Sequence, residues 1–295
     1  MASTRLQQCQ GAVLLLGGTG KVASRIAPKL KAANIPLLIA SRSGRAPEGY
    51  QAVKFEWLDR MTWETSLSAA PAVRAVFIVF QGFVDPSAMA KDFVDYARGL
   101  GVDRFVLLSQ SPVDENGPAF GQIHRYLREL GDRGKIGWAV LRPTWFQQNF
   151  SELGYHIQSI KKENKIYSAS GRGKIPWISC DDIAAVGYHC LTTSEPPNTD
   201  FLILGPELLG YDELADIFTQ VLGRKIVHHN LTPEGLEQQY QKNGVSPEFA
   251  NFLAELDKGI EIGAENRKND VFFATMGYEP RKFRDFVKAN QAVWQ

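Results

Sequence analysis

Long hydrophobic runs are missing from this chain: its longest apolar stretches are strand-length, well short of a membrane span. Met1 to Gln10 carries one cation and no apolar core, so no targeting segment is expected there. Cysteine is scarce. Cys9, Cys180 and Cys190 are scattered, odd in number and without a CxxC pair, which excludes a disulfide scaffold and thiolate metal spacing. They read as reduced thiols of a soluble, cytoplasmic protein. Neither sign of charge is in excess, Lys+Arg 33 against Asp+Glu 32 leaving a net charge of +1. The basic clustering that neutralises nucleic-acid phosphates is therefore absent. Internal repeats, low-complexity tracts and Pro/Ser-rich linkers are absent too. A small-molecule partner is expected, with no nucleic acid, no membrane and no metal.

What is present begins at the first strand. The apolar run Ala12 to Leu16 leads into Gly17-Gly18-Thr19-Gly20-Lys21-Val22-Ala23, and an amphipathic segment from Ser24 to Ala33 follows. Glycines at 17 and 20 let the chain turn tightly and approach a pyrophosphate, and small Ala23 lets the helix pack on the strand. The helix N-terminus then offers free amides and a positive dipole end to the phosphates. A second strand, Ile35 to Ala40, ends in Ser41-Arg42-Ser43-Gly44-Arg45. An NAD-specific chain places a carboxylate there, on the ribose diol; Arg42 between Ser41 and Ser43 suits the 2′-phosphate of NADP(H) instead.

Strand and helix alternate to about residue 150. Strands are expected at Ala52 to Trp57, Ala75 to Phe80, Arg104 to Ser109 and Gly137 to Arg142, with a helix from Pro86 to Leu100. Continuously apolar strands separated by helices predict an α/β, Rossmann-type doubly wound parallel sheet covered on both faces. Ligands bind beyond the carboxyl ends of such strands. Asp59, Phe80, Gln81, Gly82, Ser109 and Ser111, with Pro143, Thr144 and Phe146, are therefore expected to converge on the dinucleotide. From 151 to 295 the alternation becomes irregular, and a smaller α/β substrate lobe is expected, with strands returning to the main sheet. Short strands are read at Lys174 to Ile178 and Asp200 to Leu204. Helices are read at Asp181 to Leu191, Tyr211 to Leu222, Thr232 to Asn243 and Pro247 to Gly259. The domain expectation is thus 1–150 for NADP(H) and 151–295 for substrate. The 295 residues, 44% hydrophobic, suffice for one substantial core with an appended lobe.

The glycine turn, the strand Phe105 to Ser109, the phrase Leu141-Arg142-Pro143-Thr144-Trp145-Phe146-Gln147-Gln148-Asn149 and the phrase Gly173 to Ala184 together resemble the NmrA-like branch of the atypical short-chain dehydrogenases. Within that branch, Gly18 to Ser24, Ile166-Tyr167-Ser168-Ala169 and Leu204 to Leu209 are similar to the fungal festuclavine and agroclavine dehydrogenases of ergot alkaloid biosynthesis. The resemblance spans nearly the whole chain. It implies NADPH-dependent reduction of a cyclic iminium in an indole alkaloid of fungal secondary metabolism. Related NmrA-like proteins act on other scaffolds, including by non-redox cyclisation or rearrangement.

Ketone-reducing short-chain dehydrogenases use a Tyr-x-x-x-Lys pair to protonate the developing alkoxide. Here Tyr126 is followed four residues later by Leu130. An iminium becomes a neutral amine on accepting hydride, so that step needs no proton donor. Trp145, Phe146, Phe83 and Tyr155 are the candidate aromatic faces for a cationic, indole-sized ligand, although each also suits an ordinary core position. Ser109, at a strand end, and His124, on the helix where the pair would fall, are the candidate catalytic polar groups. His228-His229 reads as surface, and Asp181 as a helix N-cap. Three readings stay open: an NADPH-dependent iminium reductase, a non-redox enzyme of a related alkaloid pathway, and an NADP-sensing regulator.

Overall fold

The computed structural model describes residues 11–80 and 85–295; Gln81, Gly82 and Phe83 lie outside the described residues, as does Cys9. In chain order the strands and helices are β1 (Ala12–Leu16), α1 (Ala23–Ala32), β2 (Leu37–Ser41), β3 (Ala52–Lys54), α2 (Arg60–Ser68), β4 (Val73–Ile78), α3 (Ser87–Gly99), β5 (Arg104–Leu108), α4 (Phe120–Asp132) and β6 (Gly137–Pro143). There follow α5 (Asn149–Glu152), α6 (Gly154–Gln158), β7 (Lys165–Ser168), α7 (Cys180–Thr192), β8 (Thr199–Ile203), α8 (Tyr211–Leu222), β9 (Val227–Asn230), α9 (Pro233–Lys242), α10 (Pro247–Glu261), α11 (Val271–Met276) and α12 (Phe283–Ala289). No helix among the described residues is long and apolar enough to cross a membrane.

Two compact units divide the chain. The first comprises Met1–Arg142 and Ile183–Leu202, the second Pro143–Asp182 and Ile203–Gln295. A seven-stranded sheet has the order β3-β2-β1-β4-β5-β6-β8, with parallel pairing in every step from β3 to β6. Asn198 N donates to Trp138 O (3.0 Å) at one end of the β6–β8 pair and Thr144 N to Ile203 O (3.2 Å) at the other, so β8 runs the same way. The strand order reverses next to β1, which places the glycine turn at a topological switch point. Every residue of β1 is buried, as expected for a central strand covered on both faces. In α4, Ile123, Leu127 and Leu130 recur at helical spacing and are buried against the sheet, joining a core that includes Phe93, Phe105 and Trp138.

In the second unit, Phe150 is fully buried among Trp177 (5.3 Å between ring centroids), Phe218 (5.7 Å) and Phe283 (5.6 Å). Trp294 Nε1 donates to Phe150 O (3.0 Å), tying the end of the chain to this core. Helices α9 and α10 begin with Pro at the first position, behind Thr232 and Ser246 hydroxyls that accept from Gly235 N and Phe249 N.

Three expectations need correction. Lys174 to Ile178 is not a strand: Pro176 has no amide for a ladder, and the segment makes isolated bridges, Ile175 to Leu209 and Ile178 to Phe146. The strand of that region is instead β7, which pairs in parallel with β9; four residues each were too short to register as a pattern. The strand read as Ala52 to Trp57 stops at Lys54, because Phe55 and Trp57 turn into the core and pack edge to face at 4.9 Å. Asp181 is not the cap of α7; the Ser179 hydroxyl accepts from Asp181 N (3.2 Å).

Candidate functional site

The turn after β1 is built around backbone conformation. Gly17 has φ +57°, and a side chain there would also meet Val79. Gly18 N donates to Ala40 O (2.9 Å) and Gly20 N to Gly17 O (2.8 Å), closing the turn against the end of β2. A Cβ on Gly18 would stand 2.8 Å from Ile39 Cγ2 and 2.9 Å from Leu15 O, so this glycine sets the packing of turn on strand. Sequence spacing singled out Gly17 and Gly20 and missed this role. A Cβ on Gly20 would meet only Gly17 O, at 3.0 Å. Val22 precedes α1 with no side-chain cap. The amides of Thr19, Lys21 and Val22 take no backbone partner among the described residues. Gly17, Thr19 and Gly20 are exposed. An uncapped helix start with exposed glycines before it fits a pyrophosphate.

At the end of β2, Ser41 is buried. Its hydroxyl donates to Arg45 O (2.7 Å) and accepts from Arg45 N (3.1 Å), while Ser43 Oγ accepts from the same amide (3.3 Å). Both serines therefore brace the loop. Arg42 at its tip is exposed and makes no hydrogen bond or ion pair among the described residues. A cation held out on a braced loop fits a phosphate better than a diol. Asp59 caps α2, its Oδ1 accepting from Met61 N (3.1 Å). The Phe80 side chain turns inward and stacks on Trp57 at 4.0 Å.

Beyond β5, Ser109 is half-buried and its amide donates to Leu141 O (2.7 Å). Arg142 secures the same loop: its guanidinium donates to Ser111 O (3.2 Å) and pairs with Asp200 Oδ2 (2.7 Å). On α4, His124 is buried against Trp138, and its Nδ1 has no hydrogen-bond partner among the described residues. Burial lowers its pKa from 6.5, so the ring stays neutral. Tyr126 is half-buried and its pKa is pushed up to about 12, first by burial and then by its hydrogen bond with Asp95. No lysine stands one turn on, where Leu130 is buried.

In the second unit Pro143, the last residue of β6, leads into Thr144, Trp145 and Phe146. Thr144 is buried and its hydroxyl donates to Glu265 Oε2 (2.9 Å). Trp145 and Phe146 are half-buried, Trp145 meeting Trp177 edge-on at 6.2 Å. Gln147 and Gln148 follow, both buried: Gln147 Nε2 donates to Trp177 O and Arg281 O, while Gln148 Nε2 donates to Ser179 Oγ and its Oε1 accepts from Cys180 N. These braces, Glu265 included, escaped the sequence reading, because their partners lie 30 to 134 residues away. Tyr155 packs on Tyr240 at 5.0 Å between ring centroids, and burial raises its pKa.

His228 is not a surface residue. Its side chain is 3% exposed, with one ring nitrogen 2.8 Å from Ser168 Oγ and the other 2.8 Å from Asp212 Oδ1. The order Ser, His, Asp matches a nucleophilic triad, but Ser168 is fully buried and so out of reach of a substrate. The chain of bonds ties β7 and β9 to α8. Among the described residues no cluster of His, Cys, Asp or Glu could hold a metal ion.

A family model described as NAD(P)H-binding matches residues 17–194, which begin at the glycine turn. The chain belongs to this NAD(P)H-binding family. Its cofactor is NAD(P)H, and the uncapped turn before α1 fits that group. Among its relatives, festuclavine synthase II of Penicillium roqueforti is 40% identical over 288 residues, covering 96% of this chain and 99% of that protein. Agroclavine dehydrogenase of Claviceps fusiformis is 41% identical over 286 residues, covering 96% and 98%. Of solved structures, Citrobacter sp. triphenylmethane reductase complexed with NADP(H) superposes with a TM-score of 0.78 at 19% identity, covering 95% of this chain and 99% of that one. That likeness shows the fold of the NAD(P)H-binding family.

Proposed function

We propose that this protein is an NADP(H)-dependent reductase acting on a cyclic iminium of an indole alkaloid. The observation that carries the reading is α4. It bears no Tyr-x-x-x-Lys pair, its Tyr126 is a weaker acid than usual, and its His124 is held neutral by burial. A ketone reductase built this way would lack its proton donor; an iminium reductase needs none at the hydride step. The names of the relatives, festuclavine synthase and agroclavine dehydrogenase, support the alkaloid class.

NADPH, when bound, supplies hydride from C4 of its nicotinamide. The amides of Thr19, Lys21 and Val22 bind the pyrophosphate, with the uncapped end of α1 contributing its dipole. Arg42 binds the 2′-phosphate and sets the preference for NADP(H) over NAD(H). Ser109, Pro143 and Thr144 border the nicotinamide, and Trp145, Phe146 and Tyr155 present aromatic faces to the substrate cation. Catalysis then consists of holding the two planes together and excluding water.

The test is label transfer. With NADPH deuterated at C4 and an indole-fused cyclic iminium, deuterium is expected on the product carbon next to nitrogen, one per NADPH consumed. Product without label or NADPH consumption would instead identify a non-redox cyclase or isomerase. Tight NADP(H) binding with no conversion of any iminium would identify a sensor.

A further inference from the structure

We propose that Glu265 is a positioning residue for this reduction, holding the chain that leaves β6 through the hydroxyl of Thr144. The inference rests on the assignment of Thr144, Trp145 and Phe146 to the reacting end of the site. Thr144 is 3% exposed and Glu265 5%, and the carboxylate reaches it from the turn after α10, 121 positions along the chain. An ionised carboxylate only accepts, so the Thr144 proton is committed to Glu265 and the side-chain torsion of Thr144 is fixed. Thr144 N is held as well, by Ile203 O. The hydroxyl and the amide of the residue next to Trp145 are thereby tied down.

Charge is not what Glu265 contributes. Arg267 Nη2 lies 3.2 Å from the same carboxylate oxygen, so the negative charge is matched where it stands. Nor is the ion pair a strong source of stability, since desolvation tends to cancel the attraction within a buried pair, and apolar side chains replacing both partners would serve as well. What an apolar residue could not do is orient Thr144. Misplacement of a reacting partner by an ångström is enough to slow a positioned reaction on the order of a hundredfold, and Trp145 and Phe146 are the next two residues of the chain.

The test uses the full-length protein, NADPH and the N-methyl-3,4-dihydro-β-carbolinium cation, an indole-fused cyclic iminium, as probe. E265L is expected to slow single-turnover NADPH oxidation by about tenfold while leaving NADP+ affinity within about twofold. E265Q, which still accepts the Thr144 proton, is expected to recover most of that rate. T144V is expected to reproduce E265L, and the double variant T144V/E265L to be no slower than either single one, because both remove the same bond. E265Q as slow as E265L, or single effects that multiply in the double variant, would overturn the proposal. So would a lowered unfolding midpoint of E265L with its rate intact. If E265L does not fold, T144V and E265Q decide: a slow T144V beside a near-normal E265Q supports positioning, and equal rates refute it. If the wild type binds the carbolinium but oxidises no NADPH, the reductase reading fails by itself; the carbolinium dissociation constants of the same variants then decide the role of Glu265 on the same criteria.

Discussion

Two side chains illustrate how environment assigns a role that residue type leaves open. Arg42 and Arg142 are both cations at the ends of strands, Arg42 just past β2 and Arg142 one residue before the end of β6. Arg142 is consumed by Asp200 and Ser111 O, while Arg42 stands exposed on a loop braced by Ser41 and Ser43. For Arg42→Ala, NADPH affinity is expected to fall about 10- to 100-fold, the range for losing a charge-assisted hydrogen bond, with NADH affinity nearly unchanged. Titration with both cofactors checks this, and equal losses would make Arg42 a structural residue. Asp257 carries the clearest pH signature. It is 1% exposed, and burial pushes its pKa up to about 7 from 3.8, against the opposing hydrogen bond from Ala169 N. A carboxyl whose folded pKa is raised stabilises fully below its unfolded value, and that contribution is lost as pH rises through the folded one. Stability from this group therefore declines from about pH 4 to pH 7, by on the order of 4 kcal/mol. Asp257→Asn mimics the protonated form, so its advantage over wild type in denaturant unfolding should be small at pH 4 and large at pH 8. An advantage independent of pH would show that Asp257 does not titrate in this window. His124 acts in the opposite sense. With its folded pKa lowered, its contribution is present above pH 6.5 and is lost as pH falls below that.

At the scale of elements, the proposed function divides between the turn joining β1 to α1 and the exit of β6. In the turn, the structure gives Gly18 and Gly20 different tasks. A side chain at Gly18 collides with β2, whereas one at Gly20 meets Gly17 O at the edge of tolerance and otherwise faces open space. Gly20→Val is accordingly expected to fold and to lose dinucleotide binding, since its methyls occupy the approach to the backbone amides. The check is thermal: NADP+ at a hundred times its dissociation constant should stabilise the wild type by about 2.7 kcal/mol and leave folded Gly20→Val unmoved. Retained stabilisation would remove the turn from the cofactor site. Around β6 the ordering of effects is informative. Ser109→Ala and His124→Ala are expected to reduce turnover by less than about tenfold, and Trp145→Ala by more, because positioning outweighs proton transfer when hydride goes to a preformed cation. Complete loss in His124→Ala would mean that this ring moves a proton after all.

Across the whole molecule, the legible part was local. The glycine turn, the buried parallel strands, the missing Tyr-x-x-x-Lys pair and the helices that open on Thr232-Pro233 and Ser246-Pro247 all follow from residue type and spacing within a few positions. Physical chemistry acts there through neighbours in the chain, by φ freedom, burial periodicity and capping, so the sequence by itself determined the dinucleotide-binding fold and its glycine turn. Tertiary structure decided whatever depends on partners far along the chain. It returned Ile183–Leu202 to the first unit and paired β7 with β9. It buried His228 between Ser168 and Asp212, which spacing had left on the surface. It also set Glu265 against Thr144 and raised the pKa of Asp257. Those outcomes rest on burial and on hydrogen bonds across 16 to 121 residues, and desolvation is a property of the folded surroundings that no local pattern encodes.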